Sequence, residues 1–318
     1  FRARRARPQV DRQRKQGEQA EPHQHRDPHL LEVAGPSRQQ HPGEDQRQAG
    51  KCGQDRAGKA DQDQHGGEDV EQGLGVHDVH SARAGRKKVT LELGGNAAVL
   101  IEPETEITDA LVDRLIGGAY SHAGQVCISV QRILAHADIY SELKKKLVAK
   151  LKKIQAADPT LDTTLVGPMI KESEAVRLKK WVDKAEKKGA KILCGGTLNG
   201  VLFEPTLLEN VDESLDIYQN EAFGPVAILE KYKDFEKGIA VINKSRFGLQ
   251  AGVYTQNLNK MLYAWDHLHV GGVIINDIPT FRVDNMPYGG VKDSGLGREG
   301  IQSAIRDMQE ERLLAIKQ

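Results

Sequence analysis

The sequence predicts an α/β fold, a largely parallel sheet with flanking helices, preceded by a disordered segment. From about Lys87 onward, short apolar or β-branched runs alternate with amphipathic helical runs, which is the order expected when helices connect parallel strands. Before Thr90 the chain contains no Ile, Met, Asn, Thr, Trp or Tyr, and Phe1 is its only aromatic residue. We therefore divide the chain into residues 1–86 and 87–318.

The segment 1–86 is dominated by Arg, Gln, His, Gly, Asp and Ala and shows neither a helical nor a strand period. With so little apolar surface to bury it cannot offset its ordering entropy, so we predict disorder. A disordered tail and the translation of a wrong reading frame both fit this composition. The second is favoured, because most of the missing residue types have A/T-rich codons. "HQHRDPH" lacks paired Cys/His spacing, so no metal site is predicted.

The elements of the second part follow from periodicity, taken in chain order. Alternating or continuous apolar runs predict strands, and apolar residues three or four apart predict helices, several of them ended by glycine. Strands are predicted at 87–93, 96–102, 131–137, 191–196, 203–211, 224–232, 248–256 and 271–277, and helices at 106–124, 138–154, 172–188, 235–244 and 257–268. The final run 311–318 is strand-like but isolated, which favours pairing outside the domain and a homo-oligomer.

Charge and cysteine content narrow the class of function. The formal net charge is zero, which indicates neither a nucleic-acid partner nor a membrane surface, and no apolar run is long enough to span a bilayer. The three cysteines, Cys52, Cys127 and Cys194, are odd in number and far apart. That pattern is typical of a reducing compartment, so we expect a cytoplasmic protein.

Cys127 and Glu92 are the candidate catalytic residues. Cys127 lies in "AGQVCIS", where small neighbours leave room for a substrate, although a lone cysteine is usually inert. Glu92 ends the strand in "LELGG", and active sites of α/β sheets cluster at the carboxyl ends of strands. By itself it also fits an ordinary surface carboxylate.

Two later motifs carry the other candidates. In "NEAFGPV", Glu221 could accept hydrogen bonds from ribose hydroxyls and Phe223 could pack on a flat ring, although the motif also fits a plain turn. "MPYGGVKDSGLGREG", residues 286–300, is dense in glycine, as expected where backbone approaches a ligand closely, but also as in a surface loop.

In chain order the four motifs are "LELGG", "AGQVCIS", "NEAFGPV" and "MPYGGVKDSGLGREG". In this order and at these separations they resemble the aldehyde dehydrogenase superfamily over about residues 87–318. The nearest similarity is to the lactaldehyde, succinate-semialdehyde and non-phosphorylating glyceraldehyde-phosphate dehydrogenases. The resemblance implies oxidation of a small aldehyde through a cysteine thiohemiacetal and thioester, with NAD or NADP as cofactor.

The resemblance also implies a role for each residue. Cys127 matches the nucleophile, and its backbone N–H would be an oxyanion donor. Glu92 matches the general base, while Glu221 matches the residue that binds the nicotinamide ribose, with Phe223 packing beside it. Asn276 lies where the family lines its substrate pocket, and Arg282 is a candidate anchor for an anionic substrate group.

Residues 1–86 depart from the family pattern. The resemblance implies a longer N-terminal portion with a Gly-rich phosphate turn and a second oxyanion donor, an Asn side chain; neither is found there. "GLGVHD", 73–78, follows no strand pattern. We therefore expect little or no NAD(P)+ binding by the chain as given. Three hypotheses stay open: an aldehyde dehydrogenase, an inactive fragment or pseudoenzyme, and a weak thiol esterase using Cys127 and Glu92.

Overall fold

The computed structural model describes residues 81–317. Most of the segment predicted to be disordered, with its histidine-rich stretch and "GLGVHD", lies outside the described residues. Residues 81–84, inside that segment, are helical, so the ordered part begins before residue 87. The sequence "SARA" there contains alanine and arginine, both good helix formers. The low-complexity composition upstream hides this local helix propensity.

Seven strands form the main sheet, in the spatial order β11-β10-β2-β3-β8-β7-β4. All neighbouring pairs are parallel except β4 with β7, which is antiparallel. The prediction of a largely parallel sheet is therefore confirmed. The strands of this sheet are β2 (Ala97–Ile101), β3 (Val130–His136), β4 (Lys191–Cys194), β7 (Thr206–Glu209), β8 (Val226–Tyr232), β10 (Gln250–Tyr254) and β11 (Gly272–Ile275).

Helices cover both faces of the sheet, which explains why its strands are apolar on both sides. Helices α1 and α2 pack on the face that carries Val99 and Ile101 of β2. Helices α3, α5 and α6 pack on the opposite face, with Ala98 and Leu100 contacting the last two. The helices are α1 (Asp109–Tyr120), α2 (Ala137–Leu151), α3 (Glu172–Lys187), α4 (Asp216–Gln219), α5 (Phe235–Asn243), α6 (Leu258–His267) and α7 (Ile301–Asp307).

Short antiparallel pairs lie outside the main sheet. The predicted strand 87–93 is reduced to two residues, β1, which pairs with β13 from the glycine-rich segment, Leu91 opposite Leu296. The remaining short strands are β5 (Leu198–Asn199), β6 (Leu202–Phe203), β9 (Phe247–Gly248), β12 (Val291–Lys292) and β13 (Gly295–Leu296). The β1–β13 pair matters for function because it brings residues 92 and 286–300 together.

Two predicted elements end differently. The predicted helix 106–124 ends at Tyr120, because His122, Ala123 and Gly124 all adopt left-handed backbone conformations, with φ near 54°, 54° and 65°. The predicted strand 311–318 is not formed over residues 311–317, which have no regular secondary structure and expose Leu313 and Leu314. A strand needs a partner, and the described part of the chain supplies none for this run.

Candidate active site

The candidate residues gather at the amino ends of the parallel strands, not at their carboxyl ends. Gly95 immediately precedes β2, Cys127 precedes β3 and Glu221 precedes β8. Glu92 belongs to the separate strand β1, so the carboxyl-end argument for its position is wrong. The candidate site is instead formed by the loops that precede these strands, and the backbone of "LELGG" lies against these loops.

Cys127 lines a small pocket together with Glu221 and Phe223. The structure thus brings together three of the predicted residues. A Cβ on Gly95 would lie 2.2 Å from the carbonyl oxygen of Cys127, so only glycine allows this backbone approach. One role of the double glycine is therefore steric, since it lets two loops meet at Cys127.

The loop before Cys127 is fixed by Gln125. Its side-chain oxygen accepts a hydrogen bond from the backbone N–H of Ile170 at 2.8 Å, and its amide group donates to the carbonyls of His122 and Pro168. These bonds stabilise a turn that contains left-handed residues, a conformation that costs free energy when the residue is not glycine.

Glu221 is anchored to the same glycines. Its Oε1 accepts from the Gly95 N–H at 2.9 Å, and a Cβ on Gly94 would lie 2.4 Å from its Oε2. Burial raises the pKa of the Glu221 carboxyl, while the Gly95 amide and Arg177 act in the opposite direction. Phe223 follows with φ near 45° and an exposed side chain.

Two buried amides hold the segment that carries Glu221. The Asn96 side chain donates to the carbonyls of Tyr218 and Asn220, at 3.1 and 3.3 Å. Gln131 donates to Asn220 at 2.8 Å and accepts from the Ala222 N–H at 3.0 Å. Both side chains are buried, so these bonds are shielded from water and fix the loop relative to β2 and β3.

Glu92 lies beside Glu299 of the glycine-rich segment. Burial is the main cause that raises the pKa of Glu92; the neighbouring carboxyl group of Glu299 raises it further, and Arg282 lowers it. Arg282 forms an ion pair with Glu299 at 3.9 Å.

Tyr288, which the sequence analysis missed, connects Cys127 to this group. Its Oη lies 2.9 Å from Cys127 Sγ, and the Arg282 guanidinium lies 4.3 Å from the centre of its ring. The Glu92 charge is among the causes that raise the Tyr288 pKa, which places Glu92 in the electrostatic neighbourhood of Tyr288. The signal was an aromatic residue inside "PYGG", a stretch already identified as one of close backbone approach.

Asn276 is not brought to this site. It lines a second cleft, with Glu104, Arg114, Tyr254 and others, near the carboxyl ends of β10 and β11. Its Oδ1 accepts from the Thr255 N–H at 3.0 Å, and its own N–H bonds to Val253. Asn276 therefore lies apart from the Cys127 pocket, at the opposite end of the strands, and its place in a substrate pocket stays a prediction.

Neither a membrane span nor a metal cluster is found in residues 81–317. Their helices lack the length and apolar composition needed to cross a bilayer. No group of three or more His, Cys, Asp or Glu side chains in this range is arranged to hold a metal ion.

Comparison with known proteins shows the family of the chain. Residues 73–314 match the aldehyde dehydrogenase family. The chain belongs to this family. The predicted membership is confirmed, and the match begins upstream of residue 87.

Relatives of this aldehyde dehydrogenase chain extend the comparison. A 3-sulfolactaldehyde dehydrogenase from Priestia aryabhattai is 40% identical over 241 residues, covering 76% of this chain and 50% of the relative. A lactaldehyde dehydrogenase from Methanococcus aeolicus is 41% identical over 228 residues, covering 72% and 49%. The chain thus spans about half the length of the curated relatives it matches.

Solved structures give the same result. Aldehyde dehydrogenase 21 from Physcomitrella patens, in complex with the reaction product succinate, is 44% identical with a TM-score of 0.72, covering 74% of this chain and 49% of that one. The glyceraldehyde-3-phosphate dehydrogenase GapN from Methanocaldococcus jannaschii, complexed with NADP, is 39% identical with a TM-score of 0.69, covering 73% and 50%.

Proposed function

We propose that the chain carries the thiol site of an NAD(P)-dependent aldehyde dehydrogenase, which oxidises a small aldehyde to its carboxylic acid. The observation that carries this proposal is the shared cavity of Cys127, Glu221 and Phe223, closed on one side by the glycines of "LELGG". The proposal is supported because the residues assigned as nucleophile, ribose-binding carboxylate and aromatic surface line one pocket.

The residues present fit a nicotinamide nucleotide. Phe223 keeps 40% of its surface exposed while its backbone is held at positive φ, an arrangement that costs stability unless a ligand uses the ring. The Glu221 carboxylate offers oxygens to ribose hydroxyls. We assign these two residues to hold the cofactor, NAD or NADP; when bound, it would accept a hydride from the carbon attached to Cys127.

The protein's own residues account for the remaining steps. The Cys127 thiolate attacks the aldehyde carbon; a C–S bond forms, and the carbonyl electron pair moves to oxygen. Loss of the hydride leaves a thioester on Cys127. Ionised Glu92 then takes a proton from water as the water attacks the thioester carbon, and the C–S bond breaks to release the acid and the thiolate.

The substrate class follows from Arg282. Its guanidinium is partly exposed, lies over the ring of Tyr288 and holds Glu299 only at 3.9 Å, so it is able to bind an incoming anion. Relatives named for sulfolactaldehyde, and a structure bound to succinate, fit substrates with an acidic group. We therefore propose an aldehyde bearing a carboxylate, sulfonate or phosphate.

The test uses the first chemical step, which needs no cofactor. Reversible addition of an aldehyde to Cys127 should protect it from iodoacetamide, while Cys194 in the same chain reacts at an unchanged rate. Succinate semialdehyde should protect at about tenfold lower concentration than butyraldehyde, the neutral aldehyde of equal chain length, because a hydrogen bond to a charged group contributes about 1.5 kcal/mol, which corresponds to about tenfold in affinity. Arg282→Gln should remove that difference. Absence of protection by either aldehyde would exclude Cys127 as the nucleophile.

A further inference from the structure

We propose that Tyr288 is a catalytic residue of this reaction: its hydroxyl first donates a hydrogen bond to the Cys127 thiolate and then to the aldehyde oxygen as that oxygen becomes negative. The proposal rests on the proposed function, because it assumes attack by Cys127 on a carbonyl. It adds a side-chain oxyanion donor from the glycine-rich segment of this chain.

The geometry places the hydroxyl on the reacting atom. Tyr288 Oη and Cys127 Sγ are 2.9 Å apart, and the two residues pack in one small apolar cluster with Ile128 and Leu249. Once the sulfur is a thiolate it has no proton, so the tyrosine must be the donor. A carbonyl oxygen attached through its carbon to Sγ comes within reach of the same hydroxyl.

The ring is fixed before any substrate binds. Only 4% of Tyr288 is exposed, and its backbone exchanges two hydrogen bonds with Glu299, of 3.0 and 2.6 Å. The Arg282 guanidinium covers the ring at 4.3 Å. A donor held in this way requires little reorganisation during the reaction, which is the condition under which oxyanion donors are most effective.

The hydroxyl also stays protonated. Burial first, and then the hydrogen bond to Cys127, raise the pKa of the Tyr288 phenol well above its ordinary value. No proton has to leave the tyrosine in the step. As the C–S bond forms, negative charge moves from sulfur to oxygen, and the hydrogen bond moves with it.

Two reagents separate this role from simple packing. p-Nitrophenyl acetate acylates Cys127 through a tetrahedral oxyanion, whereas iodoacetamide alkylates it by displacement of iodide without one. In Tyr288→Phe, which removes only the hydroxyl, the plateau rate of acylation at high pH should fall about 100-fold, in the range found for loss of an oxyanion donor. The plateau rate of alkylation should change by no more than about twofold, since no oxyanion forms.

The alkylation midpoint gives a second readout. Loss of a donor to the thiolate should raise the pH at which alkylation of Cys127 is half-maximal. The matched control is Tyr140→Phe, which removes another hydroxyl, bonded to Glu209 at 2.7 Å and remote from the thiol in the fold. Both Cys127 rates in this control should equal those of the unsubstituted chain.

Three results would overturn the assignment. Equal losses of acylation and alkylation in Tyr288→Phe would indicate a packing role, and unchanged rates of both would indicate no role. If the unsubstituted chain were not acylated at Cys127, the proposed function would fail first. In that case the alkylation midpoint still tests the proposal: a midpoint in Tyr288→Phe equal to that of the unsubstituted chain would reject the hydrogen bond from Tyr288 to Cys127.

Discussion

Glu92 and Glu299 place two carboxyl groups side by side. A general base must be ionised to accept a proton from water. Because the pKa of Glu92 is raised, its ionised fraction falls already at a pH where an ordinary carboxyl would still be charged. Burial and the neighbouring Glu299 together therefore raise the acid limit of the proposed hydrolysis step.

Glu299→Gln should move this acid limit to lower pH. The substitution removes a negative charge and leaves an amide that donates to ionised Glu92, and both changes lower its pKa. We expect the rate of acetyl loss from Cys127, followed by mass spectrometry as a function of pH, to show the shift. Glu310→Gln, at an exposed residue paired with Lys88, should leave the profile unchanged. A shift to higher pH would contradict this interpretation of the pair.

The sequence alone predicts those site residues that lie within short motifs. Cys127, Glu221 and Phe223 were predicted from local patterns and lie in one cavity. Tyr288 was not predicted as a contact of Cys127, since the two are 161 positions apart and only tertiary packing joins them. The separation of Asn276 from Cys127 has the same reason: a position in the sequence does not tell at which end of the strands a side chain lies.

At the scale of elements, helix α1 shows how packing overrides composition. Its two adjacent glycines, Gly117 and Gly118, are indistinguishable by sequence pattern. A Cβ at Gly117 would meet nothing within 4 Å, whereas one at Gly118 would lie 2.4 Å from Ile278 Cδ1 and 2.8 Å from Val130 Cγ2. Gly118 thus lets the helix approach β3 and the segment after β11.

These glycines give a matched pair of variants. Gly117→Ala should raise the free energy of unfolding by about 1 kcal/mol, because alanine has the higher helix propensity. Gly118→Ala should lower it by about 1–3 kcal/mol, because the methyl group overpacks the core. Urea unfolding measures both. Equal effects of the two substitutions would show that α1 does not pack as described.

The predicted elements agree best with the structure where burial and period coincide. Helices α2, α3, α5 and α6 were each predicted to within a few residues, since their apolar faces pack on the sheet. The strand predicted at 87–93 is longer than β1. The alternation of apolar and polar residues is the same whether a run joins the main sheet or forms only a two-residue pair. Which ends of the parallel strands carry the site depends on the topology of the sheet. Hydrophobic periodicity gives no information about topology.

At the scale of the whole molecule, the carboxyl-terminal run 311–317 exposes large apolar side chains to solvent. Leu313, Leu314 and Ile316 are 90%, 81% and 78% exposed in a segment without regular secondary structure. Burial of such side chains contributes about 1.5–3 kcal/mol each, so their exposure favours association. We propose that residues 311–317 pair with another copy of the chain.

Light scattering tests this proposal. The unsubstituted chain should form oligomers, and Leu313→Ser combined with Leu314→Ser should lower the average mass. Leu161→Ser, at another exposed leucine outside the helices and strands, is the control and should leave the mass unchanged. An identical mass for all three proteins would rule out the run as an interface.

The most direct measurement follows the acyl group on sulfur. After a pulse of p-nitrophenyl acetate, peptide mass spectrometry should find the acetyl group on Cys127 in the unsubstituted chain and in Glu92→Gln. Its lifetime should be about 100-fold longer in Glu92→Gln, since a positioned general base contributes about 100- to 10,000-fold. Acetylation confined to other residues, or the same lifetime in both proteins, would contradict the assignment of Cys127 as nucleophile and Glu92 as base.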